Sequence, residues 1–238
     1  MRAGLPLRMG IVSASGATHS GLAAARQRLA RALARSGARA AGGALGFPCG
    51  AWILPDRAFA AVAEVPAPQG ILAVFSLPPE AAGGEPPYVL ALDGVQDPGN
   101  VGALIRSLLA FCGPGAGLWT GPETADPYGS KALRASAGAA FHLRRHDSGD
   151  LAADLAQSAL AGRRWWALCP RGGRCPDAVE LRPPLGLLIG SEGRGVDPAL
   201  LPWCEPLSIP MPGGAESLNA AMAGGIVLYE CARQAPRA

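Results

Sequence analysis

A chain of 238 residues with a formal net charge of +3 at pH 7 holds one large domain or two modest ones and can bury an ample core. The mild basicity permits a polyanionic partner without demanding one, and no apolar run approaches the ~20 residues of a membrane span, so the reading is a soluble, cytoplasmic protein with no membrane partner. Cys49, Cys112, Cys169, Cys175, Cys204 and Cys231 form no CxxC pair and no metal-ligand spacing, which points to reduced thiols and no metal.

In chain order, residues 1–20 show no strong periodicity and are expected to be partly mobile. Residues 21–35 predict an amphipathic helix, with Leu22, Ala25, Leu29, Ala32 and Leu33 on one face, Arg26, Arg28, Arg31 and Arg35 mostly off it, and Gly37 as a stop. The arginines fit a solvated face or a phosphate-binding one. Two apolar segments follow, at 51–54 and 71–75. The Pro/Gly-rich stretch 77–87 reads as a linker, which gives an N-terminal domain over 1–80, a linker over 81–87 and a second domain over 88–238.

From Tyr88 short apolar runs alternate with helical stretches, the pattern of a mainly parallel α/β sheet. The strand 89–92 ends in Asp93-Gly94-Val95-Gln96-Asp97-Pro98-Gly99-Asn100, a polar loop at the carboxyl end of a strand, where such sheets bind ligands. A helix is expected from about Val101 to Gly113. Asn100 at its start could be only an N-cap, and Arg106 could be only a surface residue. Further elements are a strand at 117–120, a helix carrying Lys131, Arg134 and Ser136, a helix at 151–162 and a strand at 165–168. His142 and His146, four residues apart, read as a solvated edge.

The most informative stretch is 186–230. Leu187, Leu188 and Ile189 form an apolar run that suits a strand buried on both faces. Gly190, Ser191, Glu192, Gly193, Arg194 and Gly195 then form a loop in which glycines let a ligand lie against backbone N–H groups. Ile209-Pro210-Met211-Pro212-Gly213-Gly214 is a second backbone-rich loop, and Glu216, Ser217 and Asn219 open a helix expected from about Ser217. That helix is apolar nearly all round, which predicts burial, with an oligomer interface as one partner. A dinucleotide-binding reading would need G-x-G-x-x-G after the first strand and an acid about twenty residues on, which 93–102 does not supply.

The segments Leu92–Gly102 with Arg106, Ile189–Gly195, and Ile209-Pro210-Met211 with Glu216-Ser217-Leu218-Asn219 resemble, in order and spacing, the three motifs of the SpoU (TrmH) class of SPOUT RNA methyltransferases. The resemblance covers about residues 88–234 and includes Arg134-Ala135-Ser136-Ala137-Gly138. It implies a SPOUT-type α/β fold with a C-terminal trefoil knot, preceded by a small, divergent α/β substrate-binding domain. It further implies S-adenosyl-L-methionine as cofactor, methyl transfer to a ribose 2′-hydroxyl of RNA, ribosomal RNA ahead of transfer RNA, and a homodimer whose active site draws on both subunits. Carried over by position, Asn100, Arg106, Glu192, Ser217 and Asn219 match the catalytic set. Leu188, Gly190, Gly193, Ile209, Met211 and Leu218 match the cofactor site. Glu192 is expected to position Arg194 or the catalytic arginine. A non-catalytic RNA-binding protein on the same fold is the alternative. Pro68-Gln69-Gly70-Ile71-Leu72-Ala73-Val74 resembles the end of the ribosomal-protein-like RNA-binding domain of many relatives, while the Arg-rich opening and Glu-Gly signature of that domain are absent.

Overall fold

The computed structural model describes residues 7–35, 50–63, 65, 67–77 and 84–235, and the chain divides into two units, Met1–Pro78 and Pro79–Ala238. In the first unit a three-stranded sheet has β1 (Leu7–Ser13) between β2 (Gly50–Leu54), which runs parallel to it, and β3 (Ile71–Phe75), which runs antiparallel. Though the sequence over 1–20 lacks strong periodicity, Leu7–Ser13 is the central strand and α1 (Ala14–Thr18) follows it. Gly10 interrupts the apolar alternation for a packing reason. A Cβ there would lie 2.8 Å from the Leu29 side chain of α2 (Ala23–Arg35), so the helix sits directly on strand backbone. Leu29 is buried as expected, whereas Ala25 is exposed. The Ala32 and Leu33 side chains and the Gly37 stop lie outside the described residues. A short helix, α3 (Asp56–Val62), buries Phe59.

The second unit is built on a six-stranded parallel sheet in the order β6-β5-β4-β8-β7-β9. Its strands are β4 (Tyr88–Asp93), β5 (Gly117–Thr120), β6 (Arg144–Asp147), β7 (Arg164–Leu168), β8 (Leu185–Gly190) and β9 (Glu205–Leu207). Alternate side chains enter two cores. Leu90, Leu92, Leu187 and Ile189 pack on one face with Leu104, Ile105 and Leu108 of α4 (Pro98–Cys112) and Val227 and Leu228 of α7 (Ala220–Gln234). Val89, Ala91 and Leu188 pack on the other with Leu151 and Leu155 of α6 (Leu151–Leu160). Covering both faces explains why β4 and β8 read as unbroken apolar runs. Between β5 and β6, α5 (Ser130–Ala135) packs on α4, and a Cβ on Gly102 would meet the Ala132 carbonyl oxygen at 2.5 Å.

Residues 85–87, read as the end of the linker, are tied to this sheet. Arg163, 4% exposed, donates to the carbonyls of Pro86 (2.6 Å), Pro87 (3.3 Å) and Leu185 (3.0 Å) and pairs with Glu85 (2.8 Å). His146 is not a merely solvated edge residue: Asp154 of α6, eight residues on, approaches its Nε2 at 2.7 Å. α4 begins three residues before Val101, so its N-cap is Asp97, whose carboxylate accepts from the Gly99 N–H at 2.6 Å. Asn100 therefore lies within the first turn and is not a cap. α7 begins at Ala220, later than expected. It is not buried all round, since Met222 and Tyr229 are 59% and 56% exposed while Val227 and Leu228 are buried. Among the described residues no helix is long and apolar enough to cross a membrane, and no cluster of side chains could hold a metal ion.

Candidate active site

The chain leaves β4 toward β5 on one side and leaves the adjacent β8 toward β9 on the other, so the connections diverge between these two strands. The carboxyl ends of strands beside such a switch are where open α/β sheets take ligands. A cavity of about 600 Å³ opens there. Its apolar wall comes from Leu168, Ile189, Leu207, Ile209, Leu218 and Ala223, and its other wall is the loop 190–195.

The loop is a tight excursion from the end of β8. Ser191 and Gly195 exchange backbone hydrogen bonds (3.0 and 2.9 Å), and the Ser191 hydroxyl accepts from the Arg194 N–H. Closing the chain on itself in so few residues brings Gly190 against the backbone of Gly195: a Cβ on Gly190 would stand 2.1 Å from the Gly195 carbonyl carbon. Gly195 holds φ +72°, a conformation costly for other residues. The second wall runs from Ile209 through the turn closed by Gly214 N–H to Met211 carbonyl (3.1 Å) and on to the start of α7.

Polar groups from three segments form one chain of hydrogen bonds at the edge of this cavity. Asn100 Nδ2 donates to Glu192 Oε1 (2.9 Å), and Asn219 Nδ2 donates to Asn100 Oδ1 (2.9 Å). Asn219 Oδ1 in turn caps α7, accepting from Ala221 N–H (2.9 Å) and Met222 N–H (3.1 Å). The Gln96 N–H donates to the other Glu192 oxygen at 3.3 Å. Partial burial acts to raise the Glu192 pKa, but the bonds from Asn100 and from the backbone around Gln96 and Asp97 outweigh it and hold the carboxyl below its ordinary range. Because Asn219 uses its oxygen as a cap and its amide on Asn100, Asn219→Ala should cost about 1 kcal/mol. A thermal melt should then show a midpoint lowered by about 2–4 °C.

Of the residues singled out in sequence, Gly190, Glu192, Gly193, Ile209, Met211, Ser217, Leu218 and Asn219 line the cavity. Asn100 stands behind Glu192 and reaches the site through it. Leu188 is not a lining residue. Its side chain belongs to the core on the opposite face of the sheet, and its neighbour Ile189 faces the cavity instead. Arg106, exposed on α4, does not line the cavity either. Glu192 pairs with neither Arg194 nor Arg106: its partners are Asn100 and Gln96, and Arg194 forms an ion pair with Glu123. Leu168, Cys169, Leu207 and Ala223 were missed. The signal for the first three was topological, since they end or follow the strands on the far side of β8.

Residues 87–229 match the profile of the SpoU rRNA Methylase family. A Bacillus subtilis protein named 23S rRNA (guanosine(2553)-2′-O)-methyltransferase RlmP is 36% identical over 191 residues, covering 77% of this chain and 72% of the relative. A Mycobacterium avium protein described as an uncharacterized tRNA/rRNA methyltransferase is 40% identical over 157 residues, 65% of this chain, and the matched region spans only 50% of that relative's length. Among solved structures, the SpoU methyltransferase AviRb from Streptomyces viridochromogenes in complex with AdoMet superposes with a TM-score of 0.76 at 27% identity, over 98% of this chain and 84% of that one. With a mainly parallel sheet, the two ligand-facing loops and the matched profile in agreement, the chain belongs to the SpoU rRNA methylase family.

Proposed function

We propose that the chain is an S-adenosyl-L-methionine-dependent RNA 2′-O-ribose methyltransferase acting on ribosomal RNA. The observation that carries this reading is the cavity between 190–195 and 209–219, with the Glu192–Asn100–Asn219 chain at its edge. The residues present suit the cofactor. An adenine and a methionine chain need an apolar slot with backbone donors and acceptors nearby; the absence of a side chain on Gly190 lets the loop close against Gly195 and form one such backbone wall. When bound, the cofactor supplies a methyl group activated by its sulfonium. The two relatives bear names of ribosomal or transfer RNA methyltransferases, and the solved neighbour holds AdoMet.

The protein's own task is to hold Gly190, Gly193, Ile209, Met211 and Leu218 as the cofactor's walls and to place the ribose hydroxyl. Asn100 and Asn219 fix the acidic edge, and Ser217, exposed at the rim, is free to meet substrate. Arg106 clamps the adjoining phosphate and orients the hydroxyl. It does not take the proton, because a guanidinium stays protonated in proteins; the proton passes to phosphate or water. The separation of Arg106 from its own cavity wall supports an active site that draws on two subunits. So do the half-exposed Phe111, Met222, Ile226 and Tyr229 on α4 and α7, which suit a homodimer face. The return of the chain from edge strand β9 through 208–219 to α7 is the path on which the family's trefoil knot is proposed. The first unit is read as the divergent RNA-binding domain, and the compartment is the cytoplasm.

Incubation with labelled S-adenosylmethionine and ribosomal RNA from a strain lacking the gene should give 2′-O-methyl label in that RNA. Label in transfer RNA alone would move the substrate, and binding of RNA without label would favour the non-catalytic alternative. The Glu192 anchor also has a pH signature. A carboxyl with a lowered folded-state pKa stabilises above its ordinary value of 4.5 and loses that contribution as pH falls through the folded value. Melting midpoints of the wild type and Glu192→Gln should therefore differ by a constant amount from neutral pH to about 5 and converge on further acidification.

A further inference from the structure

We propose that the cavity of the N-terminal unit is a pocket for an unpaired guanine of the RNA, with the base's N1–H and N2–H edge on the Asp56 carboxylate; this rests on the RNA-methyltransferase reading and adds a recognition site to it. The cavity holds about 460 Å³ and shares no residue with the cofactor cavity. That volume is in the range of small-ligand sites. Its back wall is backbone. A Cβ on Gly16 would stand 2.6 Å from the Gly70 carbonyl oxygen, and Ser13 N–H donates to that same oxygen at 3.0 Å. Gly70 belongs to the Pro68-Gln69-Gly70 stretch ahead of β3, whose three residues all line the cavity. Phe59, 2% exposed, closes the floor, and the half-buried Leu22 and Pro68 are the apolar sides open to a ligand. Such surfaces suit the face of a base splayed out of an RNA loop, the usual way single-stranded RNA is read.

The polar edge selects among bases. Asp56 Oδ1 accepts from the Ser15 N–H at 2.9 Å, and this bond is the chief cause that keeps its carboxyl below the ordinary range. The Ser15 and Ser13 hydroxyls also bond to this carboxylate; with about four acceptor sites it keeps capacity for a ligand's donors. His19 Nδ1 accepts from the Gly21 N–H at 3.1 Å, which places the proton of the neutral ring on Nε2, where it is a donor. Guanine alone among the four bases has two adjacent N–H donors beside a carbonyl acceptor, matching one carboxylate and one donor. The Asp56 carboxylate at the pocket's exposed edge disfavours a phosphate there. Outside it, Arg26 ties the rim by donating to the Gly16 and His19 carbonyls (2.8 and 2.7 Å), and Arg57 is exposed next to Asp56.

The test is an amide chemical-shift titration of the full ¹⁵N-labelled chain with GMP, AMP, CMP, UMP and IMP, the last lacking the 2-amino group. The Ser15, Gly16 and Gly70 amides should respond to GMP with an affinity on the order of tenfold tighter than to AMP or IMP. Asp56→Asn should remove that preference. The GMP–IMP difference in the wild type stands even if the variant does not fold. Silence of these amides, equal response to all five nucleotides, or shifts confined to 190–195 would overturn the proposal. S-adenosylmethionine titrated into the same sample reports the other cavity, so failure of the methyltransferase reading and failure of this pocket show at different amides.

Discussion

Gly190→Ala should weaken cofactor binding on the order of 100-fold while leaving a folded N-terminal unit. The added methyl would fall 2.1 Å from the Gly195 carbonyl carbon and 2.2 Å from the Val196 nitrogen. Both are backbone atoms in a loop already closed by the Ser191–Gly195 pair, so no side-chain rotation relieves the overlap. The loop must open, at about 3 kcal/mol, and the displaced wall should weaken S-adenosylmethionine on the order of 100-fold in calorimetry. Gly213→Ala is the control, because a Cβ there meets nothing within 4 Å. It should change stability by no more than about 0.5 kcal/mol. Equal losses in the two variants would mean that glycine content, and not the close approach at Gly190, governs this region.

Arg106→Ala should lower the methyl-transfer rate by a factor on the order of 10²–10³ with cofactor affinity unchanged, since Arg106 touches neither loop of the cofactor cavity. Arg106→Lys should recover only part of the rate, because an ammonium lacks the planar fork that holds a phosphate from two sides. Single-turnover rates against pH, with RNA affinity measured in parallel, decide the role. A lysine variant with normal RNA affinity and a rate that climbs with pH toward the lysine value of about 10.4 would show that the side chain accepts the proton and would contradict the clamp.

What could be read from the sequence depended on how local the cause was. The loop 190–195 and the Pro/Gly loop from Ile209 were visible because glycine and proline constrain backbone wherever they stand. The alternation that gives β8 two faces was not resolved by an unbroken apolar run. The resemblance matched Leu188 to the cofactor site by position, and one residue of offset puts a side chain on the other face of the sheet. β1 was hidden by Gly10, which breaks the apolar pattern and is explained only by Leu29 lying across it. Glu192 and Asn100 are 92 residues apart, so their bond had no local signature, and Arg194 or Arg106 was the expected partner. In the structure Arg194 goes to Glu123, brought close by the turn after β5. Asp97 displaced Asn100 as the N-cap because Pro98 and Gly99 suit the first turn of α4, which leaves Asn100 available for Glu192.

A crystal structure with S-adenosylhomocysteine tests the central claim most directly. The ligand should lie between 190–195 and 209–219, its adenine against Ile209 and Leu218, with Gly190 backbone beside it. Density for the ligand at any other place on the chain, with this cavity filled only by solvent, would contradict the account.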